Sequence, residues 1–251
     1  MSKVSITSPV QGVRLLTLTD PDRRNAMGAE MGAELIAAAQ AIAGDPDVRS
    51  VVVTGEGKAF CAGADLPALF GHPDRPVSET HDELQRYYRA FFSILELAVP
   101  TIAAVNGPAV GAGLNLAMAC DVRIAGPAAS FGATFAKIGL HPGGGCTWFL
   151  VRALGRSRAL QTLLLAEPLD APTAVDWGLA EGVSDDPVAD GIAMAERFAA
   201  VDPALARNIK RSVDLAVSTD DLQAVLEYES WAQAASAASP ELQQWVEKFR
   251  R

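Results

Sequence analysis

The hydrophobic and polar positions in the first part of the chain follow two different periods. Residues 13–18 alternate from one face to the other, which predicts a strand. From residue 27 to residue 42, apolar side chains recur every three or four positions, which predicts a helix with Asn25 as its N-cap. The apolar run 50–54 follows the Asp-Pro-Asp break at 45–47 and predicts a buried strand.

The same alternation continues to about residue 145. Residues 101–105 and 122–125 have the pattern of strands, and residues 113–119 between them have that of a short helix. A proline-rich loop at 71–78 leads into a predicted helix from 82 to 98. Strands that alternate with helices are typical of an α/β fold with largely parallel strands, and we expect that class here.

Beyond residue 145 the pattern is that of helices only. Ser157 and the sequence Asp-Ala-Pro at 170–172 are predicted to open two of them, and longer helices are predicted from about 187, 203 and 220. Apolar positions with helical spacing in the last forty residues are typical of helices that pack on a neighbour. We therefore expect a core of residues 1–190 and a C-terminal helical region, 191–251, packed on the core and on a neighbouring subunit.

Composition narrows the possible partners of this 251-residue chain. The formal net charge is −9, and no Lys/Arg run exceeds two residues, so we expect no nucleic-acid partner. The three cysteines form neither a disulfide framework nor a metal-binding pattern. No apolar stretch is long enough to cross a membrane and no leader pattern is present, which predicts a cytoplasmic protein without a membrane partner.

Two turns rich in small residues carry the candidate chemistry. KAFCAGADL (58–66) follows the strand 50–54, and NGPAVGAGLNL (106–116) follows the strand 101–105. Each segment alone is typical of an ordinary tight turn. The second segment is not a dinucleotide-binding fingerprint, because Leu116 occupies the position of the third glycine. Together, two such turns can each direct one N–H group at the same oxygen, which is how an oxyanion hole is built.

These two turns, followed by SFG (130–132) and KIGLHPGGG (137–145), resemble the crotonase, or enoyl-CoA hydratase/isomerase, superfamily. The resemblance implies a spiral of strand–strand–helix turns with a helical C-terminal region that forms a homotrimer or a dimer of trimers. It also implies acyl-CoA thioester substrates, with coenzyme A as part of the substrate and no permanently bound cofactor or metal.

The resemblance implies particular site residues. The N–H groups of Ala64 and Ala112 fall at the two oxyanion positions. The turn 61–66 is expected to bind the adenine of coenzyme A, and Arg23 and Arg24 are expected to meet its phosphates. The residues of that turn assigned to coenzyme A are Cys61, Ala62, Asp65 and Leu66.

The chain departs from the family at the proton-transfer positions. The two glutamates of hydratases fall at Asn115 and Phe135, and the aspartate of ring-opened phenylacetate isomerases falls at Gly143. Asparagine and phenylalanine cannot take a proton near neutral pH. His141 is the candidate acid or base, and the alternative is a loop histidine bonded to backbone or solvent.

Other side chains remain open as candidates at this point. His72, His81, Asp82 and Glu83 lie in a segment that can line the acyl pocket, and Cys146 could pair with His141 or be a core thiol. The aromatic residues Tyr87, Tyr88, Phe91 and Phe92 are either pocket wall or core.

The function predicted from these residues is that of an acyl-CoA-processing enzyme that is not an efficient hydratase. The alternative is a non-catalytic acyl-CoA binding or shuttle protein, which would keep the thioester site and lose the acids.

Overall fold

The computed structural model describes residues 2–250, and strands alternate with helices through its first half. The strands are β1 (Val4–Thr7), β2 (Val13–Leu18), β3 (Ser50–Gly55), β4 (Thr101–Val105), β5 (Pro108–Val110), β6 (Val122–Ala125), β7 (Ser130–Gly132), β8 (Leu169–Asp170) and β9 (Gly182–Val183). The α-helices are α1 (Ala29–Gly44), α2 (Leu66–Phe70), α3 (Val77–Leu95), α4 (Ala112–Ala119), α5 (Cys146–Leu165), α6 (Ala171–Asp176), α7 (Pro187–Ala199), α8 (Pro203–Ser218), α9 (Leu222–Ser236) and α10 (Pro240–Phe249).

The larger sheet has the strand order β1-β2-β3-β4-β6-β9. Its strands are parallel except for the hairpin of β1 and β2, and the register pairs Val13 with Ser50 and Val51 with Thr101. A smaller sheet has the order β5-β7-β8. The predicted α/β class with largely parallel strands is therefore confirmed.

The apolar run of β3 is buried on both faces of the larger sheet, as expected for a central parallel strand. Val51 and Val53 belong to the core that also contains side chains of α1 and α3. Val52 points to the other face, where it packs with Ala195 of α7. Because successive side chains alternate between faces, one strand joins both halves of the core.

The predicted N-cap of α1 is wrong. The helix begins at Ala29, and its N-cap residue is Gly28. Asn25 lies three residues before Gly28 and is fully buried, with φ +57°. The amide of Asn25 donates to the carbonyl oxygens of Glu56, Ala59 and Phe60. Asn25 therefore connects the turn before α1 to the loop after β3.

Other boundaries were also predicted incorrectly. Helix α3 begins at Val77, inside the predicted loop, rather than at 82. By contrast, the helix predicted from Ser157 is confirmed, because α5 consists of two helical stretches separated by the non-helical Gly155, and the second stretch begins directly after that residue. The region beyond 145 also contains the short strands β8 and β9, whose two residues each are too few to give a periodic pattern.

The C-terminal helices begin close to the predicted residues. Helices α7, α8 and α9 start at Pro187, Pro203 and Leu222. The predicted boundary at 190 falls inside α7, which covers one face of the larger sheet. None of the helices described within residues 2–250 has both the length and the hydropathy needed to cross a membrane.

Candidate active site

A cavity of about 130 Å³ lies between α3, α4 and the loop that follows β3. Its wall is mainly apolar and aromatic and includes Tyr88, Phe91 and Phe135. Asn115 and His141 also border it, but no Asp or Glu of the described residues does. The same residues contain no group of side chains arranged to hold a metal ion. The cavity therefore offers hydrogen-bonding groups and an imidazole but no carboxylate.

The two turns rich in small residues meet at this cavity. The N–H of Cys61 donates to the carbonyl of Pro108 at 3.1 Å, and that of Val110 donates to the carbonyl of Cys61 at 3.0 Å. Gly63 has φ +109°, and a Cβ there would lie 2.9 Å from the Val110 oxygen. Glycine is thus required for the loop after β3 to approach β5 this closely.

Ala64 and Ala112 both border the cavity. Ala112 is the first residue of α4, so its N–H has no partner inside the helix. Across residues 2–250, neither the Ala64 N–H nor the Ala112 N–H donates a hydrogen bond to a protein acceptor. Two backbone donors, one of them at the positive end of a helix, are therefore available to an oxygen in the cavity.

The residues predicted to bind coenzyme A have different surroundings. Ala62 and Leu66 border the cavity, whereas the Cys61 side chain is fully buried. Arg24 is exposed and forms no ion pair within the part of the chain that the structure describes. The Arg24 backbone is joined to the turn 61–66, since its carbonyl accepts from the N–H of Ala62 at 2.9 Å, and its side chain is free to meet a phosphate.

Arg23 is already paired with Asp65. Its Nη2 lies 2.8 Å from Asp65 Oδ2, and the hydrogen bond holds the pKa of that carboxyl below its usual range. Asp65 Oδ1 also accepts from the N–H of Ala68 at 3.4 Å and so caps α2. These two residues fix the turn before α2, and Arg23 has less freedom than Arg24 to bind a ligand.

The cysteines next to the site are unreactive at neutral pH. Burial raises the pKa of Cys61 to about 11 and that of Cys146 to about 12. Cys146 packs in the core and does not border the cavity. The structure therefore gives no support to a Cys146–His141 nucleophile pair, and Cys146 is a core thiol.

The three positions without the expected acids all border the cavity. Asn115 is 2% exposed, and its Nδ2 donates to the carbonyl of Gly143 at 2.9 Å. Asn115 Oδ1 is buried and has no hydrogen-bond partner among residues 2–250. A Cβ built on Gly111 would lie 3.9 Å from the Phe135 ring, so this ring covers the turn before α4. These three positions therefore present an amide, an aromatic ring and a glycine to the cavity.

His141 is the imidazole at the cavity. It is exposed, and its Nδ1 lies 2.8 Å from the carbonyl oxygen of Pro142. Because a carbonyl only accepts hydrogen bonds, this contact places the proton of the neutral ring on Nδ1. The lone pair on Nε2 is then free, and His141 can accept a proton through that atom.

The acid–base candidates before and at the start of α3 do not reach the cavity. His81 lies 3.0 Å from Asp82 on the surface, and Glu83 is paired with Arg75. His72 is exposed, and none of these residues borders the cavity. The segment contributes no acid or base to the described site.

Helix α3 instead presents aromatic side chains. Tyr87, Tyr88 and Phe91 border the cavity, whereas Phe92 packs only against the core. The Tyr87 hydroxyl donates to the carbonyl of Met27 at 3.3 Å. Sequence reasoning left these side chains undecided, because the helical period does not show which neighbour each one faces.

The chain is similar in amino-acid sequence to a family of known proteins. A family model described as enoyl-CoA hydratase/isomerase matches residues 9–250. A "Probable enoyl-CoA hydratase" of Mycobacterium tuberculosis is 57% identical over 186 residues, which are 73% of this chain and 70% of that protein. The 1,2-epoxyphenylacetyl-CoA isomerase of Escherichia coli is 34% identical over 241 residues, covering 95% of this chain and 92% of that protein.

Solved structures agree with the sequence comparison. An enoyl-CoA hydratase from Polaromonas sp. JS666 has a TM-score of 0.89 at 32% identity and covers 98% of this chain and 96% of its own. The enoyl-CoA hydratase from Bacillus anthracis has a TM-score of 0.90 at 28% identity, covering 99% and 96%. The similarity extends over both the sheet and the C-terminal helices.

Proposed function

Because the chain belongs to the enoyl-CoA hydratase/isomerase family, we propose that it forms the enolate of an acyl-CoA thioester in the cavity between α3 and α4. Coenzyme A then enters as part of the substrate. The observation that carries the proposal is the pair of unpartnered N–H groups of Ala64 and Ala112 on one cavity wall.

The two N–H groups would bind the thioester oxygen. Loss of a proton from the α-carbon moves the C–H electron pair into the enolate, and negative charge develops on that oxygen. The hydrogen bonds between the turn 61–66 and β5 hold the first donor in place before the reaction, and the start of α4 holds the second. Each such donor is worth roughly 2.7–4 kcal/mol in a transition state of this type.

His141 is our candidate for the base. Its Nε2 would take the α-proton and return it either to the same carbon or to the γ-carbon of the enolate, which shifts a double bond. This reaction needs only one proton-transfer group, and it therefore fits a cavity that is bordered by one imidazole. The relative named 1,2-epoxyphenylacetyl-CoA isomerase, which aligns with 95% of the chain, supports an isomerisation of a coenzyme A thioester in general and not this particular proton shift.

Coenzyme A is proposed to lie along the turn 61–66. Its adenine would contact backbone in the stretch that includes Cys61, Ala62 and Leu66, and Arg24 would meet a phosphate. Arg23 and Asp65 would act by holding the turn through their ion pair. The net charge of −9 makes such a local cation necessary for an anionic ligand.

Efficient hydration is not expected of this cavity. Addition of water to an enoyl thioester needs one group that activates the water and one that supplies the α-proton. Asn115 can orient a water but cannot take its proton, and Phe135 can do neither. No carboxylate of the described residues borders the cavity to replace them.

The rate of crotonyl-CoA hydration tests this proposal. We expect a rate at least about 100-fold below that of the Polaromonas enoyl-CoA hydratase, because a positioned acid or base contributes about 10²–10⁴-fold. Loss of the absorbance of the conjugated thioester measures both enzymes under the same conditions. A comparable rate would contradict the argument from Asn115 and Phe135. Binding without turnover of any thioester would instead favour the alternative, an acyl-CoA binding protein.

A further inference from the structure

The Tyr88 hydroxyl and the Asn115 amide lie on either side of the Gly143–Gly144 peptide. A Cβ on Gly143 would lie 2.5 Å from Tyr88 Oη, and a Cβ on Gly144 would lie 2.7 Å from Asn115 Nδ2. Glycine at both positions leaves the space that these polar groups occupy. A side chain at residue 143 would displace the Tyr88 hydroxyl from its place at the cavity.

Both groups have hydrogen-bonding capacity that the described protein does not use. The Tyr87 hydroxyl donates to a carbonyl, but the Tyr88 hydroxyl donates to no acceptor within residues 2–250. The N–H of Gly144 faces Tyr88 Oη, and burial raises the pKa of Tyr88, so the hydroxyl keeps its proton at neutral pH. Asn115 Oδ1 is a buried acceptor without a donor.

The position of Asn115 on α4 relates this pair to the thioester site. Asn115 follows Ala112 by three residues, so the two lie one turn apart on the same face, about 5–6 Å between their Cβ atoms. With the thioester oxygen at Ala112, the part of the acyl group next to the carbonyl is therefore expected beside Asn115, since both residues line the cavity.

We propose that Tyr88 is a specificity-determining hydrogen-bond donor that selects an acyl group with an oxygen substituent close to its α-carbon. The inference rests on the proposed function, because it takes the Ala64–Ala112 pair as the thioester site. The substituent oxygen accepts a hydrogen bond from the Tyr88 hydroxyl. A plain hydrocarbon chain leaves that hydroxyl unpaired among aromatic side chains, which weakens its binding.

Calorimetric titration with butyryl-CoA and with each enantiomer of 3-hydroxybutyryl-CoA tests the proposal, with chromatography afterwards to show that the thioesters are intact. We expect one hydroxy enantiomer to bind about tenfold more tightly than butyryl-CoA. Tyr88→Phe should remove this preference by binding butyryl-CoA more tightly and the hydroxy thioester more weakly than the unmodified protein does, because the hydroxyl that distinguishes them is gone. Gly143→Ala should also remove it, because the new Cβ displaces the hydroxyl.

Tyr87→Phe is the matched control, since it removes a hydroxyl from the same helix that is already bonded to Met27. The preference should survive in this variant. Equal affinities in the unmodified protein, or a preference that persists in Tyr88→Phe, would overturn the inference while the proposed function stands. Failure of all the thioesters to bind would overturn the proposed function and the inference together.

Discussion

At the scale of single residues, the proposed proton transfer depends on the atom of His141 that is left free. The contact of Nδ1 with the Pro142 carbonyl orients the ring and directs the proton of the neutral form to that nitrogen. Nε2 is then the basic atom in a cavity that no described carboxylate borders. Removal of this one lone pair should therefore remove the proton transfer and leave the binding of the thioester in place.

The variant His141→Gln tests that role. Its amide can still donate to the Pro142 carbonyl, but it cannot take a proton. We expect exchange of the α-protons of butyryl-CoA with deuterated water to slow by about 100-fold or more. Mass spectrometry of the recovered thioester measures the exchange. His72→Gln, at an exposed histidine outside the cavity, is the matched control. Unchanged exchange in His141→Gln would assign the base to another group.

Some site residues could be predicted from the sequence and others could not. Ala64 and Ala112 were implied by the family resemblance of the two turns rich in small residues, and the structure brings both to one cavity. Asn25 was assigned wrongly because its amide can bond any nearby carbonyl, and the carbonyls it meets belong to the loop after β3. The free hydroxyl of Tyr88 depends on packing between α3 and the loop before α5, which no local pattern records.

At the scale of elements, the shortest strands were not predicted from the sequence, whereas the long helices were. The three-residue strands β5 and β7 show no periodicity, yet they build the smaller sheet beside the cavity. Helices α7 and α8 were predicted at the correct residues because Asp-Pro signals mark their first turns, with Asp186 and Asp202 accepting from the backbone as N-caps. The break within α5 was also predicted, as a helix start at Ser157, because Gly155 interrupts the helical backbone two residues earlier.

The bend in α5 gives a prediction about stability. Gly155 has φ +72° and ψ 169°, a conformation that only glycine adopts easily, although open space surrounds the position. Gly155→Ala should therefore lower the free energy of unfolding by about 1–3 kcal/mol through the backbone alone. Urea denaturation measures this change.

Gly44→Ala is the matched control for that measurement. Its position is also open, but it closes α1 without a positive φ, so alanine should be neutral or stabilising by up to about 1 kcal/mol. Equal effects of the two substitutions would show that the backbone conformation at Gly155 is not the cause.

At the scale of the whole molecule, the sequence predicted the crotonase fold, and the solved structures confirm it. The subunit arrangement stays a prediction. Large apolar side chains are exposed along the last helices, among them Trp231, Trp245 and Phe249. Such side chains are consistent with burial against neighbouring copies in a trimer.

The central claim is that two backbone N–H groups stabilise a thioester enolate, and Ala112→Pro tests it most directly. Proline is well tolerated at the first position of a helix, where it removes the N–H in question and places its Cδ where the amide hydrogen was. Ala29→Pro makes the same change at the first residue of α1, outside the cavity, and is the matched control.

The measurement is α-proton exchange of butyryl-CoA in deuterated water by the unmodified protein and the two proline variants. We expect exchange by the unmodified protein, a loss of about 10²–10³-fold in Ala112→Pro, and little change in Ala29→Pro. Thermal unfolding shows that both variants are folded. Full exchange by a folded Ala112→Pro, or none by the unmodified protein, would contradict the proposed oxyanion site.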